Sequence, residues 1–385
     1  MDTTRLNKIE AIALLSIIMA NKIIFNLPEI IISSTGSAAW INTIYIIAIA
    51  FIFLALCLKL IGKFPNFDIL DISQYIGGRF LKFIVGLLQV LLLILVANTT
   101  IRSLVYTLKT IYFTQSPIIF IVLFIVAPSL IANRFGIKSI SKICLYIIPI
   151  AYVGLAILLL APSKDFEIQR LFPILGYGID ATFVAGLSNL FALSGLGYIF
   201  LIPSILKENT NIKKIGNISL ALSSVALFFS VLCMLFVFSF HMETNENMTL
   251  YLLTMVVHHG NLIHGINVLF MLIWILSIIA YLSITVFFML FILKKIGRIE
   301  NTATLNYSIS SILLSSSIIF QNYPQIYFVI HNIMKSTIMY FVFLVEPILL
   351  IIANIKRRAR RLSSSNANSK IGKEKIWKRH FKILT

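Results

Sequence analysis

The chain has 385 residues, of which 59% are hydrophobic and 12% charged, and its 32 Lys and Arg against 14 Asp and Glu give a formal net charge of +18. A mean hydropathy of +0.97 is more than a water-soluble core can absorb, whereas a helical bundle facing lipid requires it. Composition therefore excludes a soluble globular enzyme, and the basic excess, which in a soluble chain would suggest nucleic acid, is read by its position along the spans.

Windows of about twenty apolar residues, the length that crosses a bilayer, predict ten spans at roughly 9–33, 38–61, 82–108, 117–133, 143–161, 181–205, 215–240, 262–293, 303–321 and 336–355. With the N-terminus inside, the inward loops carry Lys63, Arg79 and Lys82, then Arg134, Lys138 and Lys142, then Lys207, Lys213 and Lys214, then Lys294, Lys295 and Arg298. The outward loops hold residues 33–38, Gln115, a mixed-charge segment with Lys164, Asp165, Glu167 and Arg170, the acidic Glu243 and Glu246, and residues 321–335. Basic residues near span ends stay cytoplasmic, so both termini are expected inside. Residues 1–355 read as one membrane domain with halves of about 9–161 and 181–355, and 356–385 as a basic cytoplasmic tail. In that tail Lys356, Arg357, Arg358, Arg360 and Arg361 directly follow a span, a pattern that points to anionic lipids rather than nucleic acid. The first apolar stretch is long and lacks a small-residue cleavage site, so no cleaved leader is expected.

Lipid cannot satisfy exposed backbone groups, so a helix interrupted inside a span must face a cavity or a ligand. Span 1 shows such an interruption at Met19-Ala20-Asn21-Lys22, followed by Asn26-Leu27-Pro28-Glu29. Ala20, Asn21 and Lys22 are the ligand candidates there, because an ionisable group at mid-membrane depth is a functional candidate. Lys22 can also simply mark a helix end and snorkel. Span 6 shows a second interruption over 189–198, where Ser194, Gly195 and Gly197 could uncover backbone amides for an anionic group. Packing of small residues between helices is the competing reading. Spans 1 and 6 open two five-helix halves, the position at which inverted-repeat transporters place their discontinuous helices.

Other intramembrane polar groups follow in order. Span 3 carries Asn98, Thr99, Thr100 and Arg102; Asn98 joins the ligand candidates, and Arg102 calls for a partner such as Glu29 or a carbonyl. Span 8 places Asn267 and Trp274 near one helix face, and Trp274 is a further ligand candidate. Span 10 carries Glu346-Pro347, where a carboxylate coincides with a missing backbone donor; Glu346, like Arg102, is a coupling or structural charge. His258, His259 and His264 have no carboxylate or thiol beside them, and Cys57, Cys144 and Cys233 lie far apart within spans, so no metal site is expected. No nucleotide-binding or catalytic motif stands out, so neither an enzyme nor a cofactor is expected.

The short motifs, taken in order, resemble the B subunit of the GerA-type spore germinant receptors, the endospore germination permeases of the APC superfamily. They are Asn26-Leu27-Pro28, Ala39-Trp40-Ile41, Gly62-Lys63-Phe64-Pro65, Gln74-Tyr75-Ile76-Gly77, Ser116-Pro117, Arg134-Phe135-Gly136-Ile137 and Leu171-Phe172-Pro173-Ile174-Leu175. The resemblance implies an all-α polytopic fold of ten helices, a leucine-transporter-like five-plus-five inverted repeat with helices 1 and 6 broken. It further implies a sensor of a small germinant, often an amino acid, in the spore inner membrane with its termini on the core side, assembled with A and C subunits. This chain departs from the family pattern where Asn21 and Ile23 replace glycines, where Lys138 and Lys142 replace Glu and Arg, and around residues 261–265. The rival expectations are a proton- or cation-coupled amino-acid transporter and a structural or ion-permeation subunit whose pocket is vacant.

Overall fold

The computed structural model describes residues 5–24, 27–208, 210–238, 264–299, 302–317 and 328–360, together with Leu253 and Gln325. All of its named elements are helical. Helix α1 (Lys8–Ile24) opens where the Glu10 carboxylate accepts the Asn7 backbone N–H at 2.8 Å, half of a capping box. It is apolar on every side, with Leu14, Leu15 and Ile18 fully buried, which marks a central helix. Helix α2 (Leu27–Thr35) follows, then one tight turn at Gly36 and α3 (Ala39–Ile61). The turn is held from outside the helix pair: Ser37 donates to the Pro173 carbonyl at 2.5 Å and Tyr177 N–H to that of Thr35 at 3.3 Å. The Leu171–Leu175 motif thus belongs to the segment that clamps the α2–α3 turn.

Helix α4 (Ile69–Ile111) is 43 residues long, longer than the span expected within it. Its start is a full capping box in which the Asp68 carboxylate accepts Leu70 and Asp71 N–H, each at 3.0 Å. It kinks where Gly77 leaves helical geometry and Gly78 takes φ +72°, a region closed to most side chains. Helices α5 (Ile118–Arg134) and α6 (Ile137–Leu160) are joined by a turn at Gly136, with φ +78°. The next span, α7 (Asp180–Phe200), winds as a π turn over Asp180–Val184 and as 3₁₀ helix over Ala185–Phe200. At about 2.0 Å of rise per residue, sixteen 3₁₀ residues reach about 32 Å, where an α-helix would reach about 24 Å.

Helices α8 (Ile212–Val237), α9 (His264–Gly297), α10 (Thr302–Ser317) and α11 (Asn332–Arg360) complete the bundle. Helix α11 takes π geometry over Phe341–Val345, just ahead of Pro347, whose missing N–H disturbs the ladder one turn upstream. Among the described residues seven helices are long and apolar enough to cross a membrane, and the shorter α5 is an apolar helix. Helix α1 packs on α6, α7, α8 and α9. The apolar windows of α7 and α9 are 72% buried and that of α6 only 17%, so α6 lies at the rim.

At the end where α4 begins, Asp68 joins three elements: Ser204 donates to it at 2.8 Å and Lys295 bridges it and Asp71. Nearby, Lys356 donates to the Ile76 carbonyl at 2.7 Å, while the Arg357 and Arg360 guanidinium groups stack over Phe64 and Tyr75. Lys356, Arg357 and Arg360 are therefore engaged by the Phe64 and Tyr75 motifs, while Arg358 and Arg360 stay exposed.

Candidate functional site

The interruptions expected in spans 1 and 6 take other forms in the structure. The backbone stays helical through Met19, Ala20, Asn21 and Lys22, and the helix ends at Ile24, with the next beginning at Leu27. Positions 189–198 are wound as continuous 3₁₀ helix. Its glycines do different work. A Cβ on Gly195 would meet the Met19 Cγ at 3.0 Å and the Ile18 side chain at 3.3 Å, so Gly195 lets α1 and α7 touch. A Cβ on Gly197 would meet Val342 at 2.8 Å and Glu346 Oε2 at 3.4 Å, so Gly197 faces α11 and the carboxyl group there.

Lys22 sits in the last turn of α1 and reaches across to α7. Its Nζ donates to Ser194 Oγ at 2.7 Å and stands 4.6 Å from the centre of the Phe191 ring. The side chain forms part of the wall of two cavities of about 50 Å³ each. The first is bordered by Gln89, Ser194, Gly197, Tyr281 and Glu346 together with Lys22. The second is bordered by Thr99, Thr100, Ser103, Phe191 and Met334, again with Lys22. At roughly 10–15 Å³ per water position, each has room for a few waters and not for an amino acid.

Glu346 is 1% exposed and its Oε1 accepts from Gln89 Nε2 at 3.2 Å. Among the described residues its Oε2 and the Gln89 Oε1 have no hydrogen-bond partner. Buried acceptors are rarely left alone, and each such group costs about 1–3 kcal/mol. Two of them on the wall of one cavity mark a place where water or a ligand belongs.

The structure thus brings Lys22, Ser194, Gly197 and Glu346 together. The other candidates lie elsewhere. Ala20 is partly buried against the core and Asn21 is buried with both amide atoms unpartnered among the described residues; neither borders these two cavities. Asn98 faces α10, where Ser316 donates to its Oδ1 at 3.1 Å. Arg102 is buried and forms no ion pair among the described residues. Trp274 is fully buried and borders neither cavity. The side chains of Asn267, His258, His259 and His264 lie outside the described residues, and no group of potential metal ligands occurs among those described.

Sequence reasoning missed Gln89. Its signal was available: Gln89, Val96 and Ser103 recur every seven residues, with Thr99 and Thr100 between, so they form one stripe of α4. It also missed a polar brace above the site, in which Asn189 donates to Ser34 and Asn42 at 2.9 Å each and accepts from Lys335 at 3.0 Å.

The family model described as a spore germination protein matches residues 5–326. Spore germination protein B2 of Bacillus subtilis (strain 168) is 21% identical over 208 residues, 54% of this chain and 56% of that protein. The match thus spans little more than half the length of that relative. Among solved structures, MhsT in complex with L-phenylalanine superposes with a TM-score of 0.67 at 14% identity, over 91% of this chain and 88% of the other. The nucleobase-cation-symport transporter MHP1 gives 0.63 at 12% identity over 90% and 78%, and a Na+-coupled sialic acid symporter 0.60 at 12% over 89% and 80%. The architecture is therefore the leucine-transporter-like fold of membrane transporters. With the family model matching residues 5–326, this chain belongs to the spore germination permeases.

Proposed function

We propose that this chain is the membrane-embedded sensor of a spore germination receptor, binding a small germinant such as an amino acid where α1 crosses α7. The observation that carries this reading is Lys22, a charged side chain inside the bundle that shares its surroundings with two small cavities and the partnerless oxygens of Gln89 and Glu346. A ligand with higher affinity for a wider arrangement of these helices would shift the bundle toward it, and that shift is the signal. No chemistry on the ligand is involved. In this reading the chain crosses the spore inner membrane ten times with both termini on the core side, as the loop cations favour. It works with A and C subunits, and its cationic tail, residues 356–385, meets anionic lipids.

The fold shared with transporters favours a second reading, proton- or cation-coupled uptake of an amino acid with Glu346 as the coupling group. Vesicles distinguish the two, since gradient-driven accumulation belongs only to the second. The sensor reading is tested with spores carrying Gly197→Leu at equal protein level, challenged with a panel of amino acids and sugars. The expected result is selective loss of response to one nutrient. An unchanged response to every nutrient removes the α1–α7 crossing as the site.

A further inference from the structure

The Glu346 cavity holds one basic and one acidic side chain that do not meet. Lys22 spends its ammonium on a neutral hydroxyl and a ring, and Glu346 receives only a neutral amide. Opposite charges in a low-dielectric interior attract strongly when they touch, and an unpaired buried charge is costly, so two kept apart in one cavity leave a complementary gap. Ser194, which holds Lys22, and Gly197, which faces Glu346, are three residues apart on a 3₁₀ helix, one turn, so both poles open onto the same stretch of α7. A molecule carrying both an ammonium and a carboxylate would answer the two with charge-assisted bonds.

We propose that Lys22 and Glu346 are the two poles of the ligand site, and that the Lys22–Ser194 bond is a latch the ligand must displace. The inference rests on the small-molecule reading above and assigns its charges. The ligand's ammonium takes the free oxygens of Glu346 and Gln89, and its carboxylate draws the Lys22 ammonium off Ser194. Lys22 borders both cavities, so its withdrawal joins them and makes the room that neither offers alone. Ser194 is then a positioning residue that competes with the ligand for Lys22.

The test uses the full chain purified in detergent and equilibrium dialysis with the common amino acids, glucose, and the N-acetyl and carboxamide forms of the tightest-binding amino acid. Wild type is expected to prefer the parent over either derivative by about tenfold or more. Lys22→Met should bring parent and carboxamide within about twofold, and Glu346→Gln should do so for parent and N-acetyl form, while Lys22→Arg and Glu346→Asp keep the preference. Ser194→Ala should tighten binding of the parent by about three- to tenfold, the reverse of what loss of a merely structural hydrogen bond gives. Full discrimination in both charge-removing variants overturns the assignment and leaves a small-molecule site placed elsewhere. Binding of glucose but of no amino acid also overturns it, with the broader reading intact. Binding of no probe removes both.

Discussion

Lys22 is tolerable inside the bundle because two neutral groups offset its cost. A lysine at a helix centre in the membrane costs about 2.5–3.5 kcal/mol. A hydrogen bond from a charged donor returns about 1.5–3 kcal/mol and a desolvated cation–π contact about 2 kcal/mol, so the Ser194 and Phe191 contacts bring the balance near zero. Replacing the ammonium by an apolar chain of similar length should then be neutral or stabilising. Lys22→Met is expected to keep or raise the melting temperature of the purified protein while abolishing the germination response. A large drop in melting temperature with an intact response would make Lys22 structural. The two neighbouring glycines should separate in the same way. Gly195→Leu meets the Met19 backbone at 3.2 Å and should force α1 off α7, whereas Gly197→Leu meets side chains only, Val342 at 2.8 Å and Glu346 at 3.4 Å, and should fill the site at a smaller cost in folded protein; expression level and melting temperature read the difference.

At the scale of elements, turn glycines and caps set where the helices bend and begin. Gly78 and Gly136 hold positive φ, and Asp68 caps α4 while accepting from Ser204 and Lys295. Removing Asp68 deletes a cap and leaves the partly buried Lys295 with one carboxylate instead of two. Asp68→Ala should destabilise by about 2–4 kcal/mol, and more than Asp71→Ala, in denaturant titrations; equal effects would contradict the three-way junction. The helices themselves were legible in apolar windows, and the site's neighbourhood in the polar residues of spans 1 and 6. The local backbone was not. Gly195 and Gly197 weaken an α-helix, but sequence does not say that the segment winds as 3₁₀ against Met19 and Val342 instead of opening. Nor does it say that Asn98 and Trp274 turn away from the cavities, because which face of a span looks inward depends on packing against distant helices. Glu346 and Lys22 were legible because charge inside a span has few places to go.

At the scale of the molecule, alternating loop charge leads to a labelling pattern. Cys57, Cys144 and Cys233 are buried, so an introduced surface thiol can be read against a quiet background. In intact protoplasts an impermeant maleimide should modify Lys164→Cys and not Lys207→Cys, both exposed positions; the opposite pattern would invert the topology. The same architecture brings charges from the first and last described helices, Lys22 on α1 and Glu346 on α11, to one cavity, a placement only the folded bundle creates. The most direct measurement of the central claim is saturation binding of radiolabelled amino acids to the purified full chain, wild type beside Gly197→Leu of matched melting temperature. The account predicts saturable binding of at least one amino acid by wild type and none by the variant. Equal saturable binding by both proteins would contradict it.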